Sequence, residues 1–138
     1  MIYLLLGTNM GDRQWNLERA QALLSEALRC DMVCSDILET KAVGFDGGDF
    51  LNQIVAFEKD IRPLELLDLC QDTEVALGRP RHEALYDKDG KRLYTDRIID
   101  IDILMFNDLH IVSDRLVLPH PQVEERPFVK EILKTMIL

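Results

Sequence analysis

The sequence predicts an α+β fold in which helices pack against an antiparallel sheet. Three observations carry this. Segments of strand and helix period follow one another as β-α-β-β-α-β, with one more helix at the end. Glycine, asparagine, aspartate and proline punctuate the boundaries. The 138 residues fit one domain, 1–138, large enough to bury a core without disulfides or metals to staple it.

The elements follow in order. Ile2 to Leu6 is a short apolar run bounded by Gly7, Asn9 and Gly11, the pattern of a buried strand ending in a tight turn. Asp12 is placed to cap the next helix, in which Leu17, Ala20, Leu24, Ala27 and Leu28 recur at helical spacing. Met32 to Thr40 reads as a strand with weaker alternation. Val43 to Asp49, with Gly44, Gly47 and Gly48, reads as a loop, and Phe50 to Phe57 as a strand. Pro63 suits the first turn of a second helix. Leu66, Leu67, Cys70 and Leu77 line its inner face, and Gly78 stands just beyond its end.

From Arg79 to Arg97 no helical pattern holds. Asp89-Gly90 between Leu85-Tyr86 and Leu93-Tyr94 signals a hairpin, so a mobile, lid-like loop or hairpin is expected at about 79–97. Ile98 to Phe106 is the clearest strand of the chain. Asn107 and Asp108 turn it, and Leu109 to Val112 is expected to pair back. A last helix should start near Pro121 and run to about Met136. This order is the split βαβ, ferredoxin-like sandwich, with helices on one face of the sheet and the other face open to carry a site.

The formal net charge is −9, a poor match to nucleic acid or to an anionic membrane, since the field of the whole molecule repels both. No apolar run approaches the roughly 20 residues of a membrane span, and the first residues lack the basic region of a signal peptide. Cys30, Cys34 and Cys70 have no metal-like spacing and read as reduced thiols of a cytoplasmic protein. Against the acidic whole, Arg79, Arg81, Lys88, Lys91, Arg92 and Arg97 cluster in one stretch. That stretch is either a solvated loop or the place where a small polyanion binds.

The strongest chemical signal is Ile98-Ile99-Asp100-Ile101-Asp102-Ile103. Side chains alternate along a strand, so Ile99, Ile101, Ile103 and Met105 would share the core face and Asp100 and Asp102 the opposite one. Aspartate is depleted in strands, and like charges on one face repel. A hard divalent cation with oxygen ligands would neutralise the pair; the plain alternative is two carboxylates in water. Gly7-Thr8-Asn9 permits a close approach of backbone to ligand. Phe50 and Asn52 share a strand face, a ring beside an amide, which is one way to hold a flat heterocycle. His120 stands between Pro119 and Pro121 on a stiff backbone, with Arg115 before it and Arg126 and Phe128 after. Glu74 falls in the last turn of the second helix, where the dipole disfavours a carboxylate. Either a nearby arginine compensates or Glu74 has a role in a site.

In order and spacing these signals resemble the 6-hydroxymethyl-7,8-dihydropterin pyrophosphokinase family of folate biosynthesis. The resemblance runs from Gly7-Thr8-Asn9 through Phe50-Leu51-Asn52, Glu74, Gly78-Arg79, Arg81, Arg97 and Asp100-Ile101-Asp102 to Arg115, Pro119-His120, Arg126 and Phe128. It implies that the pterin hydroxymethyl oxygen attacks the β-phosphorus of ATP and that AMP leaves. It further implies that Asp100 and Asp102 bind two Mg²⁺ ions, and that Arg81 and Arg97 join them in catalysis. Gln71, Glu74, Arg81, Arg97, Ile103, Arg115, His120 and Arg126 would contact ATP. Thr40, Val43, Phe50, Asn52, Asp100 and Phe128 would form the pterin pocket. The implied partners are these two small molecules, with a monomer favoured. Family members commonly carry a tryptophan shortly before the arginine matched by Arg97; here the nearest aromatic is Tyr94. The alternative from another class is a non-catalytic ferredoxin-like domain that binds a metabolite.

Overall fold

The computed structural model describes residues 1–41, 48–78 and 98–136, and the backbone of Leu85–Tyr86 and Arg92–Leu93. The central strand is β1 (Ile2–Thr8), every residue of which is buried. It pairs antiparallel on one side with β4 (Phe50–Phe57) and on the other with β7 (Asp100–Phe106). Two short strands, β2 (Val33–Cys34) and β3 (Leu38–Thr40), pair with the outer edge of β4. The order across the sheet is β2-β4-β1-β7, with β3 continuing β2 along β4.

The expected single strand from Met32 to Thr40 is thus two pieces. Cys34 pairs with Val55 and Leu38 with Asn52, so four residues on one side span three on the other. Ser35 seals the gap: its N–H donates to Ile54 O, and its hydroxyl accepts the Ile54 N–H, each at 2.9 Å.

Helix α1 (Arg13–Leu28) is capped as its sequence requires, the Asp12 carboxylate accepting the Trp15 N–H at 3.0 Å. Helix α2 (Pro63–Ala76) begins on its proline, and Gly78 beyond its end takes a φ of +104°, which glycine adopts without strain. Leu17, Ala20, Leu24 and Leu28 of α1, with Leu66 and Cys70 of α2, pack on Ile2, Leu4, Leu6, Val55, Phe57, Ile101 and Ile103. Both helices therefore cover one face, as the sequence predicts.

The opposite face is not left wholly open. The last helical stretch is two helices, α3 (Gln122–Glu125) and α4 (Pro127–Met136). The break falls at Arg126, whose ψ of 109° is the extended conformation that a following proline imposes. Val129, Ile132 and Leu133 of α4 then pack on Tyr3, Leu5, Ile54, Ala56 and Leu104. The expectation of helices on one face holds for α1 and α2 and fails for α4.

Strand β7 corrects a second detail. Ile103 pairs with Leu4 and Met105 with Tyr3, which leaves Leu104 as an extra residue, a β-bulge. The bulge inverts the alternation. Ile99, Ile101 and Ile103 face α1 and α2 as expected, but Met105 packs on the α4 side and Phe106 returns to the first core. Beyond the Asn107 turn, β8 (Ile111–Val112) pairs with β9 (Val117–Leu118), not back onto β7. In the 79–97 stretch, β5 (Leu85–Tyr86) and β6 (Arg92–Leu93) pair antiparallel, as the Asp-Gly signal predicts. The rest of that stretch, with Arg81 and Arg97, lies outside the described residues, as does Val43.

Because α4 closes the second face, Leu133→Ala should cost about 2–5 kcal/mol, the usual loss for a buried leucine. Urea unfolding of the purified variant measures it. A loss below about 1 kcal/mol would mean that α4 is not part of the core.

Candidate active site

Four strands, β3, β4, β1 and β7, meet at one end of the sheet. Across it, Leu38 pairs with Asn52, Asn52 with Gly7, and Gly7 with Asp100. One register step along, Thr40 pairs with Phe50; in the other direction Leu5 stands between Ile54 and Asp102. These side chains leave the sheet on its α4 side, where α4 packs on Leu5 and Ile54. Gly7 is the floor between the amide and the carboxylates. A Cβ there would lie 3.6 Å from Asn52 Oδ1 and 3.7 Å from Phe50 Cδ1, so its absence opens the space between them. Asn52 is buried, and its amide donates to Leu38 O at 3.0 Å and to Thr40 Oγ1 at 2.8 Å. These two contacts fix the amide plane and turn Oδ1 toward the Gly7 floor.

The rest of the turn after β1 is structural. The Asn16 amide donates to Thr8 Oγ1 at 3.2 Å and to Met10 O at 2.9 Å, and the Asn9 amide donates to Gly48 O at 3.1 Å. Thr8 and Asn9 thereby tie the strand end to α1 and to the loop before β4.

On the far side, Asp100 and Asp102 open into a cleft of about 400 Å³ at the free edge of β7. Gln71 and Glu74 of α2 form one wall; Arg115 and His120 form the other, with Ile103 between. The volume lies in the range of small-molecule sites. Glu74 is buried, and its Oε2 accepts the Ile101 N–H at 2.8 Å. This explains a carboxylate at the end of α2: it serves the backbone of the edge strand, at the residue between the two aspartates. Burial pushes the Cys70 thiol far up, and the Glu74 and Asp102 carboxylates add to this, so it stays a neutral thiol under the site. Arg115 is held across the cleft mouth by Asp68, at 2.6 Å.

His120 is docked by its backbone, its N–H donating to the carbonyl of the bulge residue Leu104 at 2.8 Å. Its Nε2 lies 3.9 Å from Asp102 Oδ1. Asp102 Oδ2 accepts from the side chain of Gln122, at 2.9 Å, a residue that the sequence reading did not single out. Arg126, half-buried at the α3 end, sets its guanidinium 6.0 Å from the centre of the Phe128 ring, near the limit of a cation–π contact. Phe128 packs on the α4-side core, whose Ile54 is two residues from Asn52. Among the described residues, no three carboxylate, thiol or imidazole groups gather into a metal cage. The pair Asp100 and Asp102 is the candidate cation site.

The fold therefore joins two compartments at the aspartates: a flat floor with an amide and a ring on one side, and a polar cleft on the other. The sequence profile of a family described as 7,8-dihydro-6-hydroxymethylpterin-pyrophosphokinase (HPPK) matches residues 3–137. A 2-amino-4-hydroxy-6-hydroxymethyldihydropteridine pyrophosphokinase of Bacillus subtilis is 39% identical over 129 residues, 92% of this chain and 72% of that protein. One from Porphyromonas gingivalis is 36% identical over 132 residues, 94% of this chain and 86% of its own length. A folate synthesis bifunctional protein of Chlamydia trachomatis is 32% identical over 143 residues, 98% of this chain and 30% of its own.

The Glu74 contact makes a stability prediction. Glu74→Ala leaves a buried N–H without its acceptor and should cost about 1–3 kcal/mol, while Glu74→Gln, which keeps an acceptor oxygen, should cost less. Denaturant unfolding of both variants checks the order. Equal losses would show that the carboxylate does not hold the β7 edge.

Proposed function

The chain belongs to the 7,8-dihydro-6-hydroxymethylpterin-pyrophosphokinase family, and from that premise we propose that Asp100 and Asp102 are the junction where ATP meets the pterin. The reaction transfers the diphosphoryl group of ATP to the hydroxymethyl oxygen of 6-hydroxymethyl-7,8-dihydropterin. The hydroxymethyl oxygen attacks the β-phosphorus, the bond from that phosphorus to the oxygen bridging it to the α-phosphate breaks, AMP departs with that oxygen, and the hydroxymethyl proton is lost. The single observation that carries the site reading is the row Asn52–Gly7–Asp100 across the sheet. It sets the amide that would read a heterocycle and the carboxylates that would hold a cation on one face, with only a bare glycine between them.

The donor set fits magnesium. Asp100 and Asp102 are oxygen ligands on one strand face, and Mg²⁺ characteristically takes one or two carboxylates and completes its shell with water and substrate phosphates. When bound, Mg²⁺ neutralises the polyphosphate charge that would otherwise meet two carboxylates. What this chain's residues do is bind, orient and exclude water. Gln71, Glu74, Ile103, Arg115 and His120 line the cleft proposed for ATP, and Arg126 is assigned to ATP from the sequence resemblance. Thr40, Phe50, Asn52 and Phe128 form the pterin pocket, with Val43 assigned to it from sequence alone. Arg81 and Arg97 supply bidentate donors to the phosphates. The 79–97 segment is the proposed lid, on the ground of its clustered basic residues.

At the finer level, we read the strand order as a ferredoxin-like sandwich extended by α3 and α4, and the protein as a cytoplasmic enzyme. Among the described residues no helix is long and apolar enough to cross a membrane. The non-catalytic metabolite-binding alternative accounts neither for the paired aspartates nor for the family.

Two measurements test the assignment. With ATP, Mg²⁺ and the hydroxymethyl pterin, the wild type should release AMP and not ADP. Asp100→Ala and Asp102→Ala should each lose at least about a hundredfold in turnover while keeping the fold, since outer partners of a metal alone cost up to that. Near wild-type turnover in both at saturating Mg²⁺ would sink the metal assignment. Separate titrations test the pterin side. Phe128→Ala should weaken pterin binding by about ten- to a hundredfold, since stacking on one ring contributes about 1–3 kcal/mol, and Asn52→Ala should act in the same direction. ATP affinity should change much less. Loss of ATP affinity with pterin affinity intact would show the two compartments reversed.

A further inference from the structure

Gln122 belongs to none of the groups assigned above, yet it touches two of them. It is the first residue of α3 and is 7% exposed. Its side-chain Nε2 donates to Asp102 Oδ2 at 2.9 Å. Its backbone N–H donates to His120 Nδ1 at 3.1 Å. His120 in turn presents Nε2 at 3.9 Å from Asp102 Oδ1, the other carboxylate oxygen. One residue thus contacts the aspartate from its side chain and the imidazole from its main chain.

We propose that Gln122 is a positioning residue of the cation site: its amide pins one oxygen of Asp102 so that the other is turned to the cation, and its backbone N–H fixes the ring of His120. The proposal rests on the reading of Asp102 as a metal ligand. The chemistry of the pair sets the direction of the contact. An ionised carboxylate only accepts, so the glutamine must offer its NH₂ and not its carbonyl. A carboxylate free to rotate presents either oxygen in many orientations; with one oxygen held by a buried donor, its rotation about the Cβ–Cγ bond is lost in advance. A neutral amide does this without the positive charge by which lysine or arginine would repel a cation. Metal ligands are oriented by such outer partners in general. On the other side, a backbone N–H is always a donor, so His120 Nδ1 must accept. The proton of the neutral ring then sits on Nε2, and the ring offers an N–H donor to the cleft. The stiff Pro119–Pro121 backbone and the Leu104 carbonyl hold His120 where the ring meets that N–H.

The test separates this from a merely structural contact by reading metal binding directly. Gln122→Met keeps the length and removes the donor; Gln122→Leu removes the donor with a shorter, branched side chain. Whichever keeps the wild-type circular dichroism is titrated with Mn²⁺ in the presence of a non-hydrolysable ATP analogue, following the electron paramagnetic resonance of the free ion. Mn²⁺ affinity should fall by about ten- to a hundredfold, with affinity for the analogue alone unchanged. Affinity within twofold of wild type overturns the proposal, and so does failure of both variants to fold, which would make the contact structural. Asp102→Asn is the control for the premise. If it too binds Mn²⁺ like the wild type, the metal reading falls; if it loses the ion while the Gln122 variant retains it, only the Gln122 role falls. In the wild type, long-range ¹H–¹⁵N spectra of neutral His120 should show the proton on Nε2, and a proton on Nδ1 would overturn the backbone half of the proposal.

Discussion

The double pairing of β1 is the constraint on which the rest of the molecule depends. Its residues Ile2 to Leu6 are buried and paired with a strand on both edges, so an unmatched polar group or an unpaired backbone group is not tolerated among them. The strand escapes this only at Gly7, where the apolar run ends. There the sheet has no side chain above it, and the neighbours on either side, Asn52 and Asp100, project polar groups across the gap. The site sits where the core stops, and the length of the core-forming run sets its position.

The edge strand β7 presents the opposite problem. One side is paired with β1, while the other carries backbone groups that solvent or another strand would claim. The fold covers them with parts of the site. Glu74 reaches from α2 to the Ile101 N–H, and the His120 N–H reaches the Leu104 carbonyl. Edge protection and site assembly are therefore the same contacts. The bulge at Leu104 belongs to this arrangement: it supplies the docked carbonyl and reverses the side-chain alternation, so the aspartates stand clear of α4 while Met105 packs beneath it.

Charge explains why the arrangement invites a cation. Asp100, Asp102 and Glu74 crowd one end of an acidic chain, and Glu74 and Asp102 add to the burial that raises the Cys70 thiol. Hydrogen bonds from Gln122 to Asp102 and from Ile101 to Glu74 disperse part of the negative charge without cancelling it. A hard cation with oxygen ligands would offset what remains.

Much of this was legible in the residues themselves. The helices and their ends follow from local chemistry: Asp12 caps, Pro63 starts, Gly78 ends. The D-x-D alternation named the carboxylates, and Phe50 and Asn52 announced their shared face by period two. What the sequence could not determine was anything that depends on a partner distant in the chain. The bulge at Leu104 leaves no local mark, because one extra residue in an apolar strand looks like any other. That Glu74 faces a strand edge depends on where α2 packs, 27 residues from Ile101. Gln122 was passed over because a glutamine at a helix start has an ordinary local role; only the docking of α3 beside β7 brings its amide to Asp102. The second helical layer depended on whether α4 would fold back, and Pro127 decided how. Periodicity and capping act over a few residues and are written locally, whereas register and docking are settled by which surfaces exclude water together, and the tertiary structure alone decides those.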